Sequence, residues 1–341
     1  MFKINSIAPT RVDLAGGTID LWPIHNLLDR KATVNVAVSL EASVEVTPSP
    51  DKLFYFESTD QKISDSGTFE QIISSPKLRL FSLLLSAFWN KNLPTIKIKT
   101  SARSPAGAGL GGSSCLSVAF VGAIAQARKQ FEPSYKIPDE FELVRTAQDV
   151  ESRVIHAPTG VQDYWGGMRG GINIIEFPFG RTTVTTLPGS IWEGQDFNLI
   201  CCYSGKSRAS AINNWEIFKR IFDGDQGLLE KIAAIGHEAA DCAEAVSKKM
   251  WKEAIAASKR EWLLRTALWP KIETEETKRI DIAARDAGAM FTRVCGAGGG
   301  GVMGVFCPRE LTEKVSKAMT NAGGQVMDVV VGGPGLSVKV S

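Results

Sequence analysis

Ser104-Pro105-Ala106-Gly107-Ala108-Gly109-Leu110-Gly111-Gly112-Ser113-Ser114 lies between an alternating run, Ile96-Lys97-Ile98-Lys99, and an alanine-rich stretch from Ser113 to Lys129. The alternation has the period of a strand. The stretch after the glycines is apolar and free of proline, so the glycines sit at a strand-to-helix junction. Ser113 or Ser114 is placed to cap the first turn. Glycines let neighbouring amides converge without a Cβ in the way, and a helix start adds unpaired amides and the positive end of its dipole. The junction reads as an anion cradle, with phosphate the expected occupant and two serine hydroxyls beside it. Taken alone, the loop also reads as a turn built for tight packing.

Two look-alikes are excluded by their surroundings. Gly107-x-Gly109-x-x-Gly112 matches a dinucleotide fingerprint, but that fingerprint needs a second strand ending in an acidic residue about 20 positions on. Here the helix leads into Phe131-Glu132-Pro133-Ser134-Tyr135 and then another helix. Gly205-Lys206-Ser207 resembles the end of a P-loop, which needs a glycine where this chain has Ile200.

Outward from the loop, residues 32–48 alternate as strands, with Val34, Val36, Val38, Val44 and Val46 on one period. Leu80 to Trp89 reads as a buried helix, residues 139–156 as a helix ended before Pro158, and Ile172 to Phe177 and Phe197 to Tyr203 as buried strands. The second half reads as helical over 208–222, 226–247, 249–268 and 274–287. Strands at Phe291 to Val294 and Val302 to Phe306 then flank Cys295-Gly296-Ala297-Gly298-Gly299-Gly300-Gly301, before a helix near 309–322 and C-terminal strands. Blocks of strands followed by blocks of helices indicate an α+β fold. The 341-residue length fits two domains, divided near Leu187-Pro188-Gly189 into 1–188 and 189–341.

Composition narrows the class. With 39 basic and 37 acidic residues the net charge is +2, which gives no footprint for nucleic acid or an anionic membrane. None of the six cysteines forms a C-x-x-C pair, and none has a histidine at zinc-ligand spacing. Reduced thiols in a cytoplasmic protein are expected. No apolar run approaches the roughly 20 residues of a membrane span, and no signal peptide is evident.

Three blocks in order, together with an acidic segment, resemble the GHMP kinase superfamily of galactokinases, homoserine kinases, mevalonate kinases and phosphomevalonate kinases. They are Ala8-Pro9-Thr10-Arg11-Val12-Asp13-Leu14-Ala15-Gly16-Gly17-Thr18-Ile19-Asp20, the glycine-serine loop, and Cys295 to Gly301. Between them, Glu151 to Asp163 resembles the helix and loop that carry the superfamily's magnesium ligand and catalytic aspartate. Arg11 with Gly16-Gly17-Thr18-Ile19-Asp20, Gln162-Asp163-Tyr164 and Tyr203 to Arg208 look most like the heptose-phosphate and fucose kinase branch. Glu151 to Gly160 is also close to mevalonate kinases.

The resemblance implies a ribosomal-protein-S5-domain-2-like N-terminal unit that binds ATP, a ferredoxin-like C-terminal unit, and a Mg²⁺-dependent transfer of the γ-phosphoryl group of ATP to a hydroxyl of a sugar or sugar phosphate. A mevalonate-type kinase and a non-catalytic sensor of ATP and sugar are the alternatives. The expected partner is a small molecule, and the expected assembly a monomer or homodimer.

On the same resemblance Asp163 is the candidate base, with Arg11 beside it and the γ-phosphate. The superfamily often has lysine at this position; arginine keeps the charge but cannot shuttle a proton. Pro105, Gly107, Ala108, Gly109, Leu110, Gly111, Gly112, Ser113 and Ser114 are the expected ATP contacts. The superfamily loop reads Gly-Leu-Gly-Ser-Ser. If Gly112 replaces its first serine, the metal ligands are Ser113 and Glu151; if a glycine is inserted, Ser114 takes the place of Ser113. The first reading needs no insertion and is preferred. Gly17, Thr18, Asp20, Gly298 and Gly299 are expected at the acceptor, with Lys206 and Arg208 available for a phosphate already on it. Trp22 and Trp165 are candidate aromatic faces for a sugar ring or parts of the core.

Overall fold

The computed structural model describes residues 2–105, 107–206 and 214–341. In chain order the strands are β1 (Ile4–Ala15), β2 (Ala32–Pro48), β3 (Phe54–Ser58), β4 (Ile63–Gly67), β5 (Ile96–Ala102), β6 (Ile172–Glu176), β7 (Thr183–Leu187), β8 (Phe197–Tyr203), β9 (Phe291–Val294), β10 (Val302–Pro308), β11 (Gln325–Met327) and β12 (Ser337–Val340). The α-helices are α1 (Phe69–Ser74), α2 (Arg79–Phe88), α3 (Gly112–Phe131), α4 (Glu140–Ile155), α5 (Gln162–Arg169), α6 (Asn214–Phe222), α7 (Gln226–Ser247), α8 (Trp251–Leu268), α9 (Glu275–Asp286) and α10 (Thr312–Asn321). The Arg208 candidate lies outside the described residues.

The fold is α+β with two sheets. The larger runs β12-β1-β2-β5-β3-β4, with β6 on β2 and β7 on β6; the smaller runs β11-β8-β10-β9. β2 explains the branching. Its first half pairs with β6 and its second half with β5, while β1 follows it along the other edge. Residues 32–38 are buried on both faces, because α3 and α5 pack near them on one side and α7 on the other. Beyond Val38 burial alternates, the mark of a strand with one face covered. α3 carries small and apolar residues nearly all round and is buried along most of its length, as a central helix must be.

β1 departs from its ladder twice, between Ala8 and Thr10 and between Asp13 and Ala15. Pro9, which has no N–H to give, sits at the first irregularity. Leu14 sits at the second, and its carbonyl accepts the Ser258 hydroxyl and Nη1 of Arg293. A bulge thus opens β1 toward the second sheet.

That opening is filled by charge. Asp13 on β1, Arg293 on β9, and Glu261 and Arg265 on α8 are all buried. Ser258, Glu261 and Arg265 share one face of α8 by their i, i+3, i+7 spacing. Nη2 of Arg293 donates to Asp13 at 2.9 Å, and its Nη1 stands 3.2 Å from Glu261. Arg11 reaches Asp13 at 3.3 Å and also contacts Asp163. Three guanidinium groups (Arg11, Arg265, Arg293) therefore face three carboxylates (Asp13, Glu261, Asp163), and the formal charge cancels. Burial alone would raise the Asp13 carboxyl, but Arg293, then Arg11 and Arg265, hold it down at about 2.

Removing one partner of such a network strands its neighbours' charges away from water. Asp13→Asn, close in shape, is expected to lower stability by about 3–5 kcal/mol, read as a fall in the urea midpoint. A midpoint that moves by less than about 0.5 kcal/mol, the usual range of an inert surface change, would show that the carboxylate does not hold the sheets together.

Candidate active site

A cleft of ≈ 890 Å³ opens where the glycine loop, the later part of β1 with the turn after it, the end of α4 and the start of α5 meet. That volume falls in the ordinary range for small-molecule sites. The loop's Pro105, Gly107, Ala108, Gly109, Leu110, Gly111, Gly112, Ser113 and Ser114 all line it. Gly111, at φ +72°, is the N-cap of α3 and provides no side-chain cap. The first intrahelical acceptor is used by Cys115, whose N–H donates to the Gly111 carbonyl at 2.9 Å. The amides of Gly112, Ser113 and Ser114 are thus left open at the positive end of a 20-residue helix, a ready anion site.

The loop is positioned by both sheets. Arg11 N–H donates to the Leu110 carbonyl at 3.2 Å, and Val302 N–H to the Ala108 carbonyl at 2.7 Å. The third glycine block therefore packs on the first. Gly296 and Ala297 reach the cleft lining, whereas Gly298 packs on Ile272 and the Gly299 N–H donates to the Ile272 carbonyl at 2.9 Å, both outside the lining.

Asp163 sits in the first turn of α5 with about a quarter of its surface open. Nε of Arg11 donates to its Oδ1 at 2.6 Å, and Nη1 of Arg11 donates to the Gly109 carbonyl at 3.0 Å. One side chain thereby ties the acid to the cradle. Burial opposes the Arg11 charge, yet Asp163 and then Asp13 more than offset it, so its pKa is raised and it stays a guanidinium. It acts by charge and position, not as a proton carrier.

α5 is itself fixed from below. Asn35 Nδ2 donates to the Gln162 carbonyl at 2.8 Å, Asn173 to Asn35 at 3.0 Å, and Thr186 to Asn173 at 2.8 Å. From the other side Asp20 Oδ2 accepts the Gln162 N–H at 3.0 Å, so Asp20 caps the helix that carries Asp163. Burial pushes Asp20 up to about 6; the Gln162 amide works against the shift and the Asp163 charge adds to it. Gly17, Thr18 and Asp20 line the same end of the cleft.

Glu151, buried at the end of α4, accepts Ser114 Oγ at 2.8 Å and Tyr164 OH at 2.6 Å. Its pKa is raised, by burial first, against hydrogen bonds from Tyr164, Ser114 and Ser113. Ser113 is the exposed neighbour and Ser114 the buried one. Both hydroxyls and Glu151 line the cleft. A carboxylate beside two hydroxyls at an anion cradle is a hard-oxygen set that fits Mg²⁺, which keeps several waters and relies on few protein ligands. Among the described residues no group of three or more His, Cys, Asp or Glu could hold a metal by itself.

Other expected residues lie elsewhere. Lys206 makes an exposed ion pair with Glu276 at 3.4 Å and is not part of the lining. Trp22 is exposed outside the cleft, and Trp165 is core, edge-on to Phe141. The six cysteines are free and buried. Among the described residues no helix is long and apolar enough to cross a membrane. The sequence reading missed Asp13, Glu261, Arg265 and Arg293. A charged residue inside each of two apolar strand segments, Val12 to Ala15 and Phe291 to Val294, was the available signal.

Comparison with known proteins agrees with this arrangement. Residues 78–171, which hold the glycine loop, α3, α4 and Asp163, match the family described as GHMP kinases N terminal domain. The chain is 26% identical over 337 residues to the D-glycero-alpha-D-manno-heptose 7-phosphate kinase of Campylobacter jejuni, covering 96% of each. It is 24% identical to the mevalonate kinase of Pyrococcus furiosus, covering 99% of this chain and 98% of that one. Its fold superposes on the D-glycero-D-manno-heptose 1-phosphate kinase of Bacteroides thetaiotaomicron with a TM-score of 0.75 at 21% identity, over 98% of each chain. The chain thus carries a segment that matches the GHMP kinase N-terminal domain and is similar along its length to kinases of that kind. These similarities are consistent with a phosphotransferase acting on a hydroxyl group, and GHMP kinases use ATP as the phosphate donor.

Gly111 links cradle and acid most tightly. A Cβ there would lie 2.7 Å from Cγ of Asp163, at a φ that L side chains rarely adopt. Gly111→Ala is expected to lower kcat at least about tenfold by displacing the acid, in steady-state kinetics on protein with an unchanged circular dichroism spectrum. Unaltered kcat would separate Asp163 from the chemistry.

Proposed function

We propose that the chain transfers the γ-phosphoryl group of ATP to a hydroxyl of a sugar or sugar phosphate of the heptose-phosphate type. The observation that carries this reading is Asp163: a carboxylate held by Arg11, set opposite the open amides of α3, on a helix capped by Asp20. The acceptor oxygen attacks the γ-phosphorus, the bond to the β-phosphate oxygen breaks to leave ADP, and the acceptor's proton passes to Asp163. Arg11 stabilises the charge that spreads over the transferring group. The loop amides hold the nucleotide phosphates. Asp20 receives acceptor hydroxyls. Glu151 with Ser113 or Ser114 would hold Mg²⁺, which neutralises phosphate charge when bound. In this reading residues 1–188 form the ATP-binding unit and 189–341 the second unit, whose last strand returns to the first unit's sheet. The full-length similarity to a mevalonate kinase keeps mevalonate as the second acceptor.

The test is ADP release with Mg·ATP over free sugars, hexose and heptose phosphates, and mevalonate. Turnover dependent on a sugar-type acceptor, reduced about 10²–10⁴-fold in kcat by Asp163→Asn, is the expected result. Turnover on mevalonate alone selects the second acceptor, and ATP binding without turnover on any acceptor favours a sensor.

The raised Asp20 pKa adds a pH signature. Its carboxylate is charged above about 6 and gains a proton below it. The acceptor KM is therefore expected to rise as pH falls through that value, and the profile of Asp20→Asn to lose this step. The same step persisting in the variant would assign it to another group.

A further inference from the structure

Arg265 is 1% exposed, yet it lines the cleft together with Gly17, Thr18, Asp20 and Gly296. Its Nη2 donates to the Gly296 carbonyl at 3.2 Å. Its Nε and Nη1 donate to nothing. The nearest carboxylates stand 3.6 Å (Glu261) and 4.0 Å (Asp13) from Nη1, beyond hydrogen-bond length. Both carboxylates are engaged elsewhere: Asp13 accepts from Arg293 and from the Gly296 N–H at 2.9 Å each, and Glu261 Oε1 accepts the Gly16 N–H at 3.2 Å. Arg265 is thus the loosest member of the buried network.

Leaving donors of a buried cation unused is costly, so the group needs a reason to stay. Gly17 shapes the surroundings, because a Cβ there would collide with Nη1 of Arg265. Among the described residues the N–H groups of Gly17 and Thr18 take no partner either. Donors from α8 and from the turn after β1 therefore line the cleft together with Asp20. Arg11 cannot serve there, since Asp163, Asp13 and the Gly109 carbonyl occupy it. Lys206 is paired with Glu276 outside the cleft. An acceptor bearing an anion meets Asp20 and Asp163 in the cleft, and among the described residues Arg265 is a buried cation of the lining with donors left to offset them.

We propose that Arg265 is the oxyanion receptor of the acceptor site, binding a phosphate or carboxylate group that the acceptor already carries. The proposal rests on the kinase reading for calling that end of the cleft the acceptor end. A planar guanidinium in a dry site suits such oxyanions better than an ammonium.

Calorimetric binding, in the presence of a non-hydrolysable ATP analogue, tests it without relying on turnover. The ligands are a hexose or heptose, its terminal phosphate ester, and its terminal carboxylate (the uronic acid), each titrated into the wild type, Arg265→Met and Arg265→Lys. The expected result is that one of the two charged forms binds the wild type at least about tenfold more tightly than the neutral sugar, that Arg265→Met removes this preference, and that Arg265→Lys restores part of it, with the affinity for the nucleotide analogue unchanged. Which charged form is preferred identifies the oxyanion. Equal affinity of the wild type for neutral and charged sugars overturns the proposal, as does a Met variant that folds and keeps the preference. If the Met variant does not fold, the wild-type and Lys titrations decide. Oxyanion-selective binding without ADP release in the kinetic assay would sink the kinase reading and leave the receptor; ADP release on neutral sugars with no oxyanion preference would do the reverse. No binding of any acceptor overturns both.

Discussion

The Asp13 carboxylate is the constraint on which the rest of this structure depends. It stands on β1 of the large sheet and accepts Arg293 from the edge strand of the small one, with Arg11 and Arg265 nearby. Buried charge is costly to desolvate, and the cost is offset where members pair with good geometry, as Asp13 and Arg293 do. Three guanidinium groups drawn from β1, α8 and β9 can share this space because three carboxylates come to meet them from β1, α8 and α5. Position follows from that balance. The two sheets meet in one register, and the Arg11 side chain is aimed along the cleft floor at Asp163 with little freedom to turn elsewhere.

The same economy shapes the helix that carries Asp163. Asp20 caps α5 through the Gln162 amide, while Gly166 lets the helix lie on the Arg11 stem: a Cβ there would meet Cβ of Arg11 at 2.9 Å. Asp20 thus bonds the amide of the residue next to Asp163. Their like charges are near enough for each carboxylate to bear on the proton equilibrium of Asp20. A ligand hydroxyl that donates to Asp20 would relieve part of its desolvation, so acceptor binding and the local charge state are coupled.

Much of this was legible in the sequence. Local signals dominate in β2, α3, α4, α7 and α8, where alternation or a long proline-free apolar run states the period. The anion cradle was legible because glycine spacing and a helix start are both local facts. β1 was not marked as a strand, since it is buried on both faces and interrupted by two irregularities, which erases the period of two. α5 was not marked as a helix, because Gly166 and Gly167 are poor helix formers; they are needed for close packing against Arg11 and Cys115. The network of Asp13, Glu261, Arg265 and Arg293 was invisible because its members are scattered over some 280 residues and meet only through tertiary structure. Lys206 and Arg208 were named because the segment Tyr203 to Arg208 carries the family resemblance. Arg265, inside a charged helix, was not named.

Cradle and network also act on each other. The loop before α3 has no side-chain cap of its own and spends its glycines on open amides, a local arrangement with little to hold it. What fixes it is borrowed: Leu110 on the Arg11 amide, Ala108 on the Val302 amide, Gly109 on the Arg11 guanidinium, and the Cys295 carbonyl so close to Gly109 that a Cβ would stand 2.5 Å from it. Each of these contacts leads back, within one or two residues, to Asp13, Arg293 or Arg11. The open amides of the loop are therefore set by the buried ion network rather than by the loop's own sequence. A site organised in this way meets its anion with the donors already in place, so little reorganisation remains at the moment of transfer.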